Sequence, residues 1–296
     1  MRNPSITVKR KHPIDTFLMG AIYLSAFLSV FLLLGIIGYV FVKGIGTVSL
    51  SFLTTVTSAL NQTVGILGNI VNTLYMIVIT LLIATPLGVG AAIYLNEYAK
   101  PGRLVSMIEF TTETLSGIPS IIFGLFGMVF FWETLGLGYS ILTGSLTLTL
   151  MVLPLITRNT QEALRTVPDS YRNGALGMGA TKWYMIRTIL LPSSMSGIVT
   201  GVILAIGRIV GESAALLFTA GSAYRLPRFT EDVAGNIGKC FGKIMEPGGT
   251  LTIELYLRMQ KGEYDVAFGV GCVLIVIVLC INLLTKVAAN RLKPVK

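Results

Sequence analysis

Arg208 and Glu212 are opposite charges four residues apart within an otherwise apolar run, residues 194–221. A charge at the centre of a membrane helix costs about 2.5–3.5 kcal/mol even on lenient insertion scales, so its presence needs a reason. In a continuous helix this spacing puts both side chains on one face, within pairing reach. At ~1.5 Å per residue Arg208 lies ~20 Å from the start of the run, near or past mid-membrane. Two readings fit: a structural ion pair gluing helices, and the lining of a polar pathway. The guanidinium is suited to an oxyanion, because its planar fork gives bidentate hydrogen bonds and it stays charged at any working pH. Gly197-x-x-x-Gly201 and Gly207-x-x-x-Gly211 lie in the same run and put small residues where another helix can approach closely.

Other chemistry is poorly supplied. One histidine, His12, excludes a His-centred triad and a His-rich metal site. Cys240, Cys272 and Cys280 lack motif spacing. The nearest approach to a phosphate-binding loop is GNIGKC, from Gly235 to Cys240. It has Val233 where the first glycine belongs and Cys240 where Ser or Thr should follow the lysine, so it is rejected. Glu109 and Glu113 share a face in the polar lead-in to an apolar span and are expected to mark a membrane interface.

The elements that must position these residues are apolar. Of 296 residues 53% are hydrophobic and 12% charged, against roughly 25% charged in soluble domains. The class is an all-α polytopic membrane protein with about six transmembrane helices, since helices satisfy their own backbone in lipid. The predicted spans are residues 16–42, 70–95, 115–135, 140–157, 194–221 and 266–288. The net charge of +9 is not a nucleic-acid signature, because the basic residues sit in short loops between spans. Lys and Arg collect in the N-terminal tail, the second-to-third connection (Lys100, Arg103), the fourth-to-fifth loop (Arg158, Arg165, Arg172, Lys182, Arg187) and the C-terminal tail. By the positive-inside rule both termini and the fourth-to-fifth loop are cytoplasmic, and the loop at 222–265 faces out.

The cytoplasmic loop at 158–193 holds the second constellation. Asp169 or Ser170 could cap a short helix, Gly177 and Gly179 would break it, a second helix would restart at Thr181, and Pro192 would mark where the fifth span begins. Asn173-Gly174-Ala175, three residues, Gly179, nine residues, Ile189-x-Leu191-Pro192 resembles the EAA loop of ABC importer permeases, with Asn173 and Gly174 replacing the motif's Glu and first Ala. Asn can hydrogen-bond but brings no charge to a partner. Four further stretches, AIYLNEYA (92–99), LSGIPSIIFGLFG (115–127), GRIVGESAALLFTA (207–220) and TLTIELY (250–256), resemble the permeases of phosphate importers, the PstA type in particular.

The resemblance implies a type I ABC importer permease fold over residues 70–288. A basic tail (1–15), a first helix with its outer loop (16–69) and a second basic tail (289–296) complete the chain. It implies a multi-pass subunit of the bacterial inner membrane, surrounded by lipid, that forms a phosphate pathway with a PstC-type sister permease. A PstB-type ATPase dimer would dock on the EAA loop and use ATP and Mg, so that this chain binds no cofactor and is not itself an enzyme. A phosphate-binding protein would deliver substrate from outside. Sulfate or molybdate is the alternative cargo. A self-contained secondary transporter is the alternative class, but the inverted repeat that it predicts is not visible.

Overall fold

The computed structural model describes residues 13–58, 63–100, 102–226 and 233–291. His12 and the basic residues before it, and the Lys293 and Lys296 end of the C-terminal tail, lie outside the described residues. Helix α1 (Pro13–Gly44) is apolar all round and almost wholly exposed, as a lipid-facing helix must be. It meets the rest of the chain mainly at its far end, where Tyr39 packs edge-on against Phe268. A short helix α2 (Leu50–Thr54) and an antiparallel hairpin of β1 (Val56–Ser58) and β2 (Thr63–Ile66) follow, a small departure from the all-helical expectation.

Helix α3 (Leu67–Ile93) runs on through a π-helical turn, Tyr94–Tyr98. Helix α4 (Arg103–Ser116) then meets α5 (Ser120–Gly127), which extends through a π-helical stretch to Thr134, at a bend of 102°. The third span expected at 115–135 is the second arm, Ser120–Thr134, and the bend falls at its start, where Gly117-Ile118-Pro119 interrupts the helix and Pro119 cannot donate to the preceding turn. Among the described residues five helices are long and apolar enough to cross a membrane, or six if this bent pair is one span.

Helix α6 (Ile141–Arg165) is the centre of the bundle and longer than the 140–157 expected. Two of its threonines hide their hydroxyls against its own carbonyls: Thr147 donates to Thr143 O at 2.9 Å and Thr149 to Ser145 O at 2.8 Å. The polar composition thus fits a helix packed by protein on most sides. Beyond it come α7 (Asp169–Gly177) and α8 (Lys182–Met185). A π-helical turn, Ile186–Leu190, then leads into α9 (Leu191–Gly211). Next come α10 (Ala214–Thr219), α11 (Val233–Ile244) and α12 (Leu251–Gln260), before α13 (Tyr264–Arg291) closes the fold. Gly235–Cys240 lies within α11, so that stretch is helical and no loop to cradle a phosphate.

Three apolar cores are stacked along the bundle. The largest joins α3, α5, α6, α9 and α10 around Met76, Leu148, Ile156, Ala205 and Leu216. A second, around Leu164, Ala175, Met185 and Leu190, holds α7 and α8 against the end of α6. A third, around Phe52, Ile66, Leu251 and Val270, seats the hairpin and α12 on α13.

Candidate functional site

Helix α9 stops at Gly211, and Glu212 is extended (φ −83°, ψ 127°). The pairing expected from four-residue spacing is therefore not made, since it requires the helix to continue through Glu212. The Glu212 carboxylate instead accepts a hydrogen bond from the Ala215 amide at 3.1 Å, at the start of α10. The Glu212 carbonyl accepts one from the Thr252 hydroxyl at 2.8 Å, tying the break to α12. Arg208 sits half-buried in the last turn of α9. Among the described residues its guanidinium meets no hydrogen-bond or ion-pair partner. The partial negative charge of the helix's final carbonyls is what favours a cation there.

The two glycine pairs of this helix have different surroundings. A Cβ on Gly197 would lie 2.5 Å from Ala163 Cβ, and one on Gly201 would lie 2.7 Å from Asn159 Cβ, so α6 presses directly on that face. Gly207 and Gly211 have no atom within 4 Å of the equivalent point. Among the described residues no helix makes the close approach expected at that pair, and the face beside Arg208 is open.

At the other end, α7 and α8 form a knob. Ala175 is buried in its small core, while Asn173 and Gly174 are exposed. Gly179 takes φ +83°, a conformation that side chains with a Cβ disfavour, and it makes the turn between the helices. Asp169 lies in the first turn of α7 without capping it; Pro168 precedes the helix. The second expected helix does not end before the membrane: Lys182 to Gly211 is one continuous helical run, with Ile189, Leu191 and Pro192 inside it. Pro192 is accommodated inside this run because it directly follows the π-helical turn, where the regular hydrogen-bond ladder is already shifted. Tyr171, Met178, Trp183 and Tyr184 are exposed on this knob, an apolar and aromatic surface on a basic loop.

Residues 84–294 match the family described as binding-protein-dependent transport system inner membrane component. The chain belongs to this family. The permease is 36% identical over 273 residues to a probable ABC transporter permease protein, YqgI, of Bacillus subtilis, covering 91% of this chain and 92% of that one. It is 31% identical over 275 residues to the phosphate transport system permease protein PstA of Haemophilus influenzae, covering 92% of each. Its fold matches a bacterial ABC transporter involved in the import of the polysaccharide alginate, with a TM-score of 0.64 at 17% identity over 95% of this chain and 97% of that one. The permease thus has the type I ABC importer fold and is a multi-pass protein of the inner membrane.

Further ionic contacts in the permease cluster near the knob. Glu109 and Glu113, on the exposed helix α4, face α6: Arg165 donates to Glu109 at 3.1 Å, and Arg158 lies 3.9 Å from Glu113 and 3.6 Å from Glu162. Arg172 is engaged by Glu97 across 75 positions of sequence, a separation that no local pattern exposes. In and beside α12, Arg258 donates to Glu254 at 2.7 Å and also pairs with Glu263. Burial works against the charge on Arg258, but its hydrogen bonds to Glu263 and Glu254 more than offset this and its pKa rises. The hydrogen bond from Arg258 in turn holds Glu263 below the usual carboxylate range.

Proposed function

We propose that this permease is one of two membrane subunits of an ATP-driven phosphate importer. The observation that carries the proposal is Arg208: a guanidinium in a membrane helix with no counter-charge among the described residues, beside an open glycine face. A phosphate ion crossing hydrocarbon must have its lost hydration replaced, and a guanidinium supplies two parallel charged hydrogen bonds. Because Glu212 does not occupy Arg208, the fork is free to receive the ion. Release is favoured if the ion is held by few groups, since a pathway needs exit as well as capture.

The open Gly207/Gly211 face suits a PstC-type sister permease, so that the pathway would form between the two chains. The exposed aromatic knob suits a PstB-type ATPase dimer, which would bind and hydrolyse Mg-ATP; this chain would hold no cofactor. A phosphate-binding protein would deliver the ion to the outer face around α11 and α12, and both termini would lie in the cytoplasm. The similarity to PstA supports phosphate as the cargo.

The test is radiolabelled phosphate uptake by the assembled complex in proteoliposomes, beside co-purification of the partner subunits. Arg208→Ala should abolish uptake and leave assembly intact; Arg208→Lys should recover little, because an ammonium keeps the charge without the fork. Normal uptake by Arg208→Ala would remove Arg208 from the pathway. Uptake by the unaltered complex that excess sulfate or molybdate suppresses would reassign the cargo.

A further inference from the structure

Arg172 does more than add positive charge to the knob. Its guanidinium has five N–H donors. Nε and Nη2 donate to Glu97 Oε1 at 3.2 and 3.1 Å, Nη1 to Asp169 Oδ1 at 3.0 Å and Val167 O at 2.7 Å, and Nη2 to Leu164 O at 2.9 Å. The side chains are 16% and 5% exposed for Arg172 and Glu97, so this is a buried pair in which water does little screening. It joins three elements: α7, the end of α6, and the π-helical turn that ends α3. Lys182, at the start of α8, lies 4.9 Å over the ring of Tyr98 in the same turn, so the knob grips the end of α3 from both of its helices. Ile93 of α3 packs against the knob's apolar core between them.

By chain connection alone, a push on the knob would reach α6 and α9. We infer that Arg172, acting through Glu97, makes α3 a third output of the knob, so that α3, α6 and α9 move together when a cytoplasmic partner displaces it. Arg172 is then a positioning residue, and its role rests on the reading of the knob as the ATPase docking site. The π-helical turn is the natural place for the load to enter α3, because its wider winding tolerates local rearrangement.

Glu97→Ala removes the ionic link to α3 while Arg172 keeps Asp169 and both carbonyls, so the knob retains its internal fastening. Reporter cysteines would be placed on a cysteine-free background at the exposed Leu82 of α3 and Leu204 of α9. Their labelling rates would be compared in the assembled complex without nucleotide and with ATP trapped by vanadate. In the unaltered complex both reporters should respond. In Glu97→Ala the α9 reporter should still respond, the α3 response should be diminished, and phosphate carried per ATP hydrolysed should fall about 5–150-fold, the range of ordinary coupling energies. A full α3 response in Glu97→Ala would overturn the inference. If that variant does not assemble, Glu97→Gln, which keeps the shape without the charge, should show a diminished α3 response; an undiminished one would overturn the inference equally. Silence of both reporters in the unaltered complex would overturn the docking reading itself, and the latch with it.

Discussion

The Glu212 carboxylate accepts a hydrogen bond from the Ala215 amide at 3.1 Å and makes no ion pair with Arg208, one turn back. Glu212 is therefore a cap for α10, and its role can be separated from that of a counter-ion. Glu212→Gln retains an acceptor oxygen and should leave uptake within about twofold of normal. Glu212→Ala loses the cap and should lower the thermal midpoint by an amount corresponding to about 1 kcal/mol. Abolished uptake in a stably folded Glu212→Gln would restore the ion-pair reading.

The two glycine pairs on α9 should respond oppositely. Gly197→Val would drive a side chain into Ala163, whose Cβ would lie 2.5 Å from the first added carbon. Such overpacking costs typically 1–3 kcal/mol, to be read as a lower melting temperature of the isolated chain. Gly207→Val meets open space and should leave the isolated chain unchanged while weakening co-purification of a sister permease. Equal destabilisation of the isolated chain by both would refute the assignment of the second face to another protein.

Orientation can be read by impermeant thiol labelling in intact cells, with single cysteines on a cysteine-free background. Lys239→Cys on α11 should label and Lys182→Cys on the knob should not. The reverse pattern would put the knob outside and remove it from any cytoplasmic ATPase.

Glu263 supplies a pH dependence outside the membrane. Its pKa is below the ordinary 4.5 because Arg258 donates a hydrogen bond to its carboxylate. The pair therefore stabilises the fold above about pH 4.5 and loses this contribution as pH falls through the lower folded value. The carboxylate is 42% exposed, so the effect is small. Glu263→Gln should melt about 1–3 °C lower than the unaltered chain at neutral pH, with the gap closing on acidification. A gap that persists well below pH 3 would mean that the side chain acts by packing and not by charge.

Much of the fold was legible because long apolar runs have few alternatives in a membrane. Those at 16–42 and 266–288 match α1 and α13 to within a few residues. The third span shows where hydropathy fails: Gly117 and Pro119 were visible in the sequence, but a window average does not report a 102° change of direction. The residues near Arg208 were legible by type, while the pairing was not, because four-residue spacing assumes a helix that in fact ends at Gly211. Arg172 entered the reading only as a positive-inside charge. Its partner lies 75 residues away and meets it only once α3 and the knob are packed together.

The early end of α9 has one more consequence. With no carboxylate paired to it among the described residues, Arg208 presents an unneutralised guanidinium, and on the pathway reading it stands where ions would pass. Such a charge repels protons and sodium as effectively as it attracts an oxyanion. A membrane potential of 100 mV drives each monovalent cation inward with about 2.3 kcal/mol, so an unguarded wet path would drain the cell's energy store. The same guanidinium would then serve as a seal against leakage between transport cycles. Proteoliposomes bearing Arg208→Ala complexes should dissipate an imposed potential faster than those bearing the unaltered chain, and equal rates would show that the seal lies elsewhere.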